Sequence, residues 1–162
     1  MNNFKKNTIL KIILIISFIS LITAYFIENV LGHQPCNLCL IERIPYGLAI
    51  ILVISNNFFK KDEKFIILLL IMVFVFSFLI SFYHFGIEQN LFEESGVCVI
   101  NNITEFDSKE ELLKQLQIKV ISCKDVTFRI FGFSLTTINM IISLVILITL
   151  IKILKNYEKY RK

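Results

Sequence analysis

Residues 65–87 read FIILLLIMVFVFSFLISFYHFGI, a run of 23 residues without a charged side chain. A helix needs roughly 20 apolar residues to cross the hydrocarbon core of a bilayer. Residues 130–151 form another uncharged run of sufficient length. Both runs predict transmembrane helices, which excludes an ordinary soluble domain.

Two shorter uncharged runs, 12–27 and 44–59, reach spanning length once their flanks are included, with Lys11 snorkelling to the interface. No small-residue cleavage site follows the first run, so we expect a retained span and not a signal peptide. The sequence thus predicts a single domain over 1–162, an all-α membrane protein built as an antiparallel bundle of four transmembrane helices. The predicted spans are about 10–28, 40–59, 65–86 and 129–151.

Charge distribution predicts the sidedness of this bundle. Of the 17 lysines and arginines, 11 fall near the two termini and in the 60–64 connection. By the positive-inside rule, both termini are cytoplasmic, and loops of about 28–39 and 88–126 face outward. Because topology already explains the basic residues, we expect no nucleic-acid binding.

The second outward loop contains DSKEELLKQLQIKV at 107–120. Ser108 and Glu111 have the spacing of a capping box, and leucines recur at helical intervals. We predict a short amphipathic helix that lies on the bilayer surface or against a partner.

All four cysteines fall in the outward regions, Cys36 and Cys39 in the first and Cys98 and Cys123 in the second. This distribution indicates an oxidising compartment. Four cysteines allow three pairings, and the sequence does not choose between them, although pairing within each loop is the simplest. A bridge across two residues adds little to helices held by a bilayer, so we interpret the C-x-x-C pair as redox-active. The wide spacing of the second pair argues against zinc, and we expect no metal.

The C-x-x-C pair lies in HQPCNLCLIERIPYG, residues 33–47. If the second helix starts near Leu40, Cys39 lies at its N-terminus, where the helix dipole favours a thiolate. Arg43 follows at i+4 and is expected to stabilise that thiolate, with Glu42 close to the same face. Pro45 lacks an N–H and predicts a kink or an open carbonyl nearby.

Four segments in order resemble those of the DsbB family of membrane disulfide-forming oxidoreductases: PCNLCLIERIPYG, then FYHFGIEQ at 82–89, GVC at 96–98 and CKDVTFRIFGFSLTTIN at 123–139. The resemblance covers nearly the whole chain. It implies location in a bacterial inner membrane, with the cysteine loops in the periplasm.

The resemblance also implies roles for particular residues. A reduced DsbA-like thioredoxin-fold partner would attack Cys98, with Cys123 as its companion. Cys36 and Cys39 would then accept the electrons, and Cys39 would reduce a membrane quinone, either ubiquinone or menaquinone. The residues expected near the quinone are Arg43, Glu42 and His84.

Two alternatives stay open from the sequence. One is a thiol enzyme whose purpose is to reduce a vitamin-K-like quinone. The other is a non-enzymatic four-helix scaffold whose outward loops are braced by disulfides.

Overall fold

A computed structural model describes residues 3–58, 63–94, 98, 122–124, 129–130 and 132–159. The described elements, in chain order, are α1 (Asn3–Asn29), α2 (Asn37–Ile41), α3 (Ile44–Phe58), α4 (Glu63–Glu88), β1 (Arg129–Ile130), β2 (Phe133–Ser134) and α5 (Leu135–Lys159). The predicted amphipathic helix at 107–120 lies outside the described residues.

Four helical stretches are long and apolar enough to cross a membrane: Asn7–Asn29, Asn37–Asn56, Glu63–Glu88 and Leu135–Asn156. The prediction of an all-α, four-span membrane protein is therefore confirmed. α4 packs most extensively against α5, and α3 packs against both α1 and α4. Large apolar side chains such as Phe18, Ile51 and Met72 are more than half exposed, as expected for surfaces that face lipid.

The second span begins earlier than the predicted residue 40, because α2 starts at Asn37. Cys36 is its N-cap, with extended backbone angles (φ −72°, ψ 168°), and its Sγ accepts the backbone N–H of Cys39 at 3.3 Å. A side-chain acceptor at this position satisfies one of the N–H groups that a helix start leaves unpaired. Cys39 therefore lies inside the first turn of the span, and Cys36 caps it.

The second span is interrupted at Glu42 and Arg43, between α2 and α3. Pro45 follows directly in the first turn of α3, where its ring and missing N–H oppose continuation of the preceding helix. The expected break near Pro45 is thus present. Because of this break, Arg43 does not lie one regular helical turn from Cys39, as the i+4 spacing suggested.

The fourth helix begins at Leu135 and not at 129, because a two-stranded antiparallel hairpin precedes it. Gly132 turns this hairpin with φ +86°, a left-handed conformation that side chains disfavour. Ser134 then caps the helix, since its Oγ accepts the N–H of Thr137 at 3.2 Å.

α4 ends in a Schellman motif. The N–H of Leu91 donates to the carbonyl of Gly86 at 2.8 Å, and that of Asn90 donates to Ile87 at 3.0 Å. Asn90 has φ 57°, the left-handed conformation that this motif requires. The motif directs the chain from the outward end of α4 back across Gly86.

The buried core has two parts. An apolar cluster around Tyr46, Leu70, Phe74 and Leu150 joins the helices in the middle of the bundle. A second cluster, at the end of the bundle predicted to face outward, contains cysteines, with Ile87 of α4 at 0% exposure. The outer cluster is where the candidate site lies.

Candidate redox site

The two cysteine pairs meet in the outer buried cluster. Cys98 and Cys123 are joined by a disulfide with their Cα atoms 5.5 Å apart, as pairing within each loop predicts. Cys36 belongs to the same cluster, and Cys39 packs against it. These last two are free thiols whose Sγ atoms lie 2.6 Å apart. The site therefore combines one formed disulfide with one dithiol.

Hydrogen bonds favour the anion on Cys36. The thiol of Cys39 and the imidazole of His84 both contact its sulfur, the second with Nε2 at 3.6 Å. The hydrogen bond from Cys39 holds the pKa of Cys36 well below its usual range, and His84 acts in the same direction against the effect of burial. The sequence assigned the thiolate to Cys39, so the structure moves the stabilised sulfur to the capping position.

Cys36, Cys39 and His84 are also close enough, within 4.8 Å, to share a metal ion. Tetrahedral zinc holds each sulfur at about 2.3 Å, which separates two thiolate ligands by roughly 3.7 Å. The 2.6 Å between the two sulfurs is much shorter than that. This spacing favours a redox pair, and the expected absence of a metal stays a prediction.

Glu42 lies almost completely inside the bundle, with 8% of its surface exposed. Its Oε1 accepts from Nδ1 of His84 at 2.9 Å, and its Oε2 accepts from Nδ2 of Asn139 at 2.8 Å. A carboxylate that accepts at Nδ1 fixes a proton there and leaves Nε2 free to take the Cys36 proton, after which Nε2–H donates to the Cys36 thiolate. Cys36, His84 and Glu42 thus form a continuous thiol, imidazole and carboxylate series.

Arg43 pairs with α1. Its Nη1 donates to Oε2 of Glu28 at 2.6 Å, and its guanidinium lies 5.1 Å from the ring centre of Tyr25. The break in the second span turns Arg43 toward these α1 residues. Arg43 nevertheless lines the same cavity as Cys39.

This cavity has a volume of about 310 Å³, which is typical of small-molecule pockets. Its apolar wall includes Ile19, Ala24 and Ile27 of α1 and Ile138 and Ile142 of α5. Six of the seven predicted site residues line it together: Cys36, Cys39, Glu42, Arg43, His84 and Cys123. The seventh, Cys98, is bonded to Cys123.

A family model described as disulfide bond formation protein DsbB matches residues 6–153 of this sequence, nearly its whole length. The chain belongs to the DsbB family. The family indicates a disulfide-forming oxidoreductase, in agreement with a dithiol and a disulfide brought together at one end of a membrane bundle.

A distant relative supports this breadth of similarity. The chain is 29% identical over 154 residues to an uncharacterised protein, RP370, of Rickettsia prowazekii strain Madrid E, covering 92% of this chain and 90% of that protein. No solved structure matches the sequence.

The DsbB-family site contains residues that the sequence analysis did not select. Asn139 donates to Glu42 and to Oγ of Ser81 and accepts from the hydroxyl of Tyr46. Thr136 reaches Nδ1 of His84 at 3.3 Å. The signal was present in TTIN at 136–139, where polar residues three apart share one face of an otherwise apolar span.

Proposed function

We propose that the protein oxidises a periplasmic DsbA-like thioredoxin-fold dithiol and passes the two electrons to a membrane quinone. The observation that carries this proposal is the meeting of Cys36 and Cys39 with the Cys98–Cys123 disulfide in one buried cluster beside a cavity. A brace needs no free dithiol at its centre. An electron relay needs both pairs within reach of each other.

The arrangement of the two pairs fits such a relay. Electrons that enter at Cys98 leave through Cys36 and Cys39, after which the outer pair is oxidised again. The burial of Cys36 among the outer cysteines favours it as the exchanging sulfur, and Cys39 as the sulfur that reduces the acceptor.

The cavity fits a quinone head group in chemistry. Apolar side chains from α1 and α5 suit the ring and its tail, while Arg43 offers N–H donors for a carbonyl oxygen. Glu28 holds Arg43 in place through its ion pair. When bound, the quinone supplies the oxidising power and takes up two electrons and two protons. The protein itself holds the dithiol and orients its proton acceptor His84.

The proposed setting is a bacterial inner membrane with both termini in the cytoplasm. The basic residues that mark the inner side are concentrated at the ends away from the cysteines. In this orientation the cluster of Cys36, Cys98 and Cys123 faces the periplasm. Fusions of alkaline phosphatase to the C-terminus should then be inactive, and active fusions there would reverse the assignment.

The deciding experiment mixes the purified full-length protein with a reduced thioredoxin-fold dithiol protein and a short-chain ubiquinone, and follows quinone absorbance. We expect one quinone reduced per dithiol oxidised. Cys39→Ser and Cys98→Ser should each abolish turnover, and full activity in both would eliminate the relay.

A matched pair of arginine variants tests the cavity. Arg43→Ala should mainly raise the quinone KM, while Arg129→Ala, at an exposed position on the hairpin, should leave it unchanged. Equal effects of the two variants would remove Arg43 from the proposed quinone site.

The two alternatives are separated by different measurements. A structural brace would keep the same thiol state in cells grown with and without oxygen, whereas a relay becomes reduced when its acceptor is depleted. A vitamin-K-reductase-like enzyme would not depend on a protein dithiol donor. For such an enzyme, a small thiol should support quinone reduction at the same rate as a reduced dithiol protein.

A further inference from the structure

A polar series continues beyond His84 to the outward end of the bundle. Oγ1 of Thr136 lies 3.3 Å from Nδ1 of His84 and donates to Oε1 of Glu88 at 2.7 Å. His84 and Thr136 are 2% and 3% exposed, whereas Glu88 is half-buried and is followed by exposed residues. The series therefore leads from a fully enclosed position to the edge of the solvent-exposed surface.

The donors in this series are ordered in one direction. The Nδ1–H of His84 is shared between Oε1 of Glu42 and Oγ1 of Thr136, and the hydroxyl of Thr136 is directed at Glu88. On the other side of the ring, Nε2 faces the sulfur of Cys36. A proton accepted at Nε2 thus allows the Nδ1 proton to move to Thr136 while the hydroxyl proton moves to Glu88.

The surroundings explain why such a route is needed. Among the residues that the structure describes, the ionisable groups near His84 are Cys36 and Cys39 before and within α2, Glu42 in the turn after it, and Glu88 on α4 itself. Intramembrane polar groups are costly to bury and are retained mainly for function. Glu42 is enclosed and held by Asn139, whereas Glu88 has access to the outer surface.

We propose that Thr136 and Glu88 are positioning residues of a proton route that connects the Cys36 thiol, through His84, to water at the outward face. The route rests on the proposed redox role of the Cys36–Cys39 pair. When that pair is oxidised, one S–S bond forms, two protons are released, and the acceptor takes both electrons and draws its protons from water. The Cys36 proton, already transferred to Nε2 of His84, leaves along the route, and the Cys39 proton follows it through the hydrogen bond to the Cys36 sulfur.

The test uses quinone-free protein in which Cys98 and Cys123 are both replaced by serine, so that Cys36 and Cys39 are the reacting thiols. The reduced protein is mixed with 4,4′-dithiodipyridine in a stopped-flow instrument. The dithiol becomes a disulfide and the reagent is reduced to two molecules of thiopyridone, whose absorbance gives the rate. Thr136→Val should slow this reaction by about tenfold, less than the roughly hundredfold or more that a direct general acid or base contributes, because Thr136 acts through His84.

Two signatures distinguish a proton route from a packing effect. Thr136→Ser should restore the rate, because it restores the hydroxyl. Raising the concentration of a small imidazole buffer should accelerate Thr136→Val but not the parent protein, since the buffer replaces the lost route. Thr137→Val, which removes a neighbouring hydroxyl bonded to Ser134, is the matched control and should react like the parent.

Glu88→Gln, at a half-buried position, should slow the reaction in the same way, and imidazole buffer should restore the rate. This variant keeps the test usable if Thr136→Val does not fold. Parent-like rates in either folded variant, or a loss that neither serine nor buffer repairs, would overturn the proton route. Because no quinone is present, that result leaves the proposed function intact. Conversely, failure of the parent protein to reduce quinone would refute the function without touching the route.

Discussion

At the scale of single residues, Glu42 is the most informative side chain. Its carboxylate is enclosed in a membrane span and bonded to both His84 and Asn139. A buried charge of this kind costs several kcal/mol unless its partners compensate for it. We infer that this charge stabilises His84 when that ring takes a proton from Cys36.

Glu42→Gln tests this role by removing the charge with little change in shape. Turnover with dithiol and quinone should fall about a hundredfold, because an amide does not stabilise an imidazolium ion as a carboxylate does. Glu93→Gln, on the exposed loop after α4, is the control and should keep parent activity. Near-normal turnover in Glu42→Gln would show that the charge is not used.

Cys36 provides a second test at this scale. Because its pKa is held below the usual thiol range, it stays a thiolate as the pH falls through about 8.5, and loses that form only at lower pH. Alkylation of the reduced protein by iodoacetamide, followed by mass spectrometry of the Cys36 peptide, should therefore show a midpoint well below the value of about 8.5 that is usual for a cysteine thiol. Cys39→Ala removes the hydrogen-bond donor and should move the midpoint upward. A midpoint at the ordinary thiol value in the parent protein would contradict the assignment.

At the scale of elements, the end of α4 determines where the outward loop begins. Asn90 holds the left-handed conformation of the Schellman motif, and the following backbone returns to Gly86. The ring of Phe92 covers Gly86 so closely that a Cβ there would overlap it. The motif therefore sets the path from His84 and Glu88 toward the loop that carries Cys98.

Asn90→Val should destabilise the protein by about 1–2 kcal/mol, because a β-branched side chain clashes with its own backbone in the left-handed region. Asn90→Gly should unfold at the same or a slightly higher temperature, since glycine adopts this conformation freely. Thermal unfolding in detergent micelles measures both. Gln89→Val, at the preceding exposed position, is the control, and a loss equal to that of Asn90→Val would assign the effect to hydrophobicity.

The elements also show how far sequence reasoning reaches. Uncharged runs of spanning length predicted four helices, because bilayer thickness imposes that length directly. The start of α2 was missed because a cysteine sulfur caps it, and cysteine is not among the usual capping residues. The hairpin before α5 was absorbed into the predicted span because residues 130–134 carry no charge and continue the apolar run. Glycine at 132 was the available hint.

The sequence predicted only some of the residues that form the candidate site. Cysteine spacing and family resemblance selected six residues that line the cavity and Cys98, which is bonded to one of them. Thr136, Asn139 and Glu88 were missed because their roles depend on which faces of α4 and α5 meet. That pairing is a property of the packed bundle, and local sequence carries only the weak sign of polar residues within an apolar span.

At the scale of the whole molecule, the bundle is divided along its axis. The described middle is closed by apolar packing around Phe74, while the outward end holds the cysteines, the polar series and the cavity. Residues of α1 and α5 wall the cavity. Under the proposed function, we expect a membrane-soluble acceptor to enter from this side and the partner protein to contact the outer cysteines. The two half-reactions should therefore be separable by mutation.

Filling the cavity tests this division. Ala24 lies on the α1 wall, so Ala24→Phe should occupy space that the acceptor requires and reduce quinone turnover at least tenfold, while the exchange of Cys98–Cys123 with a reduced dithiol protein continues. Ile22→Phe adds similar bulk at a lipid-facing position of the same helix and should change neither reaction. Quenched-flow trapping of the cysteine pairs reports dithiol exchange, and quinone absorbance reports the other half. If Ala24→Phe slowed both reactions equally, the acceptor and the partner would reach the site by the same approach. The two half-reactions would then not be separated along the bundle axis.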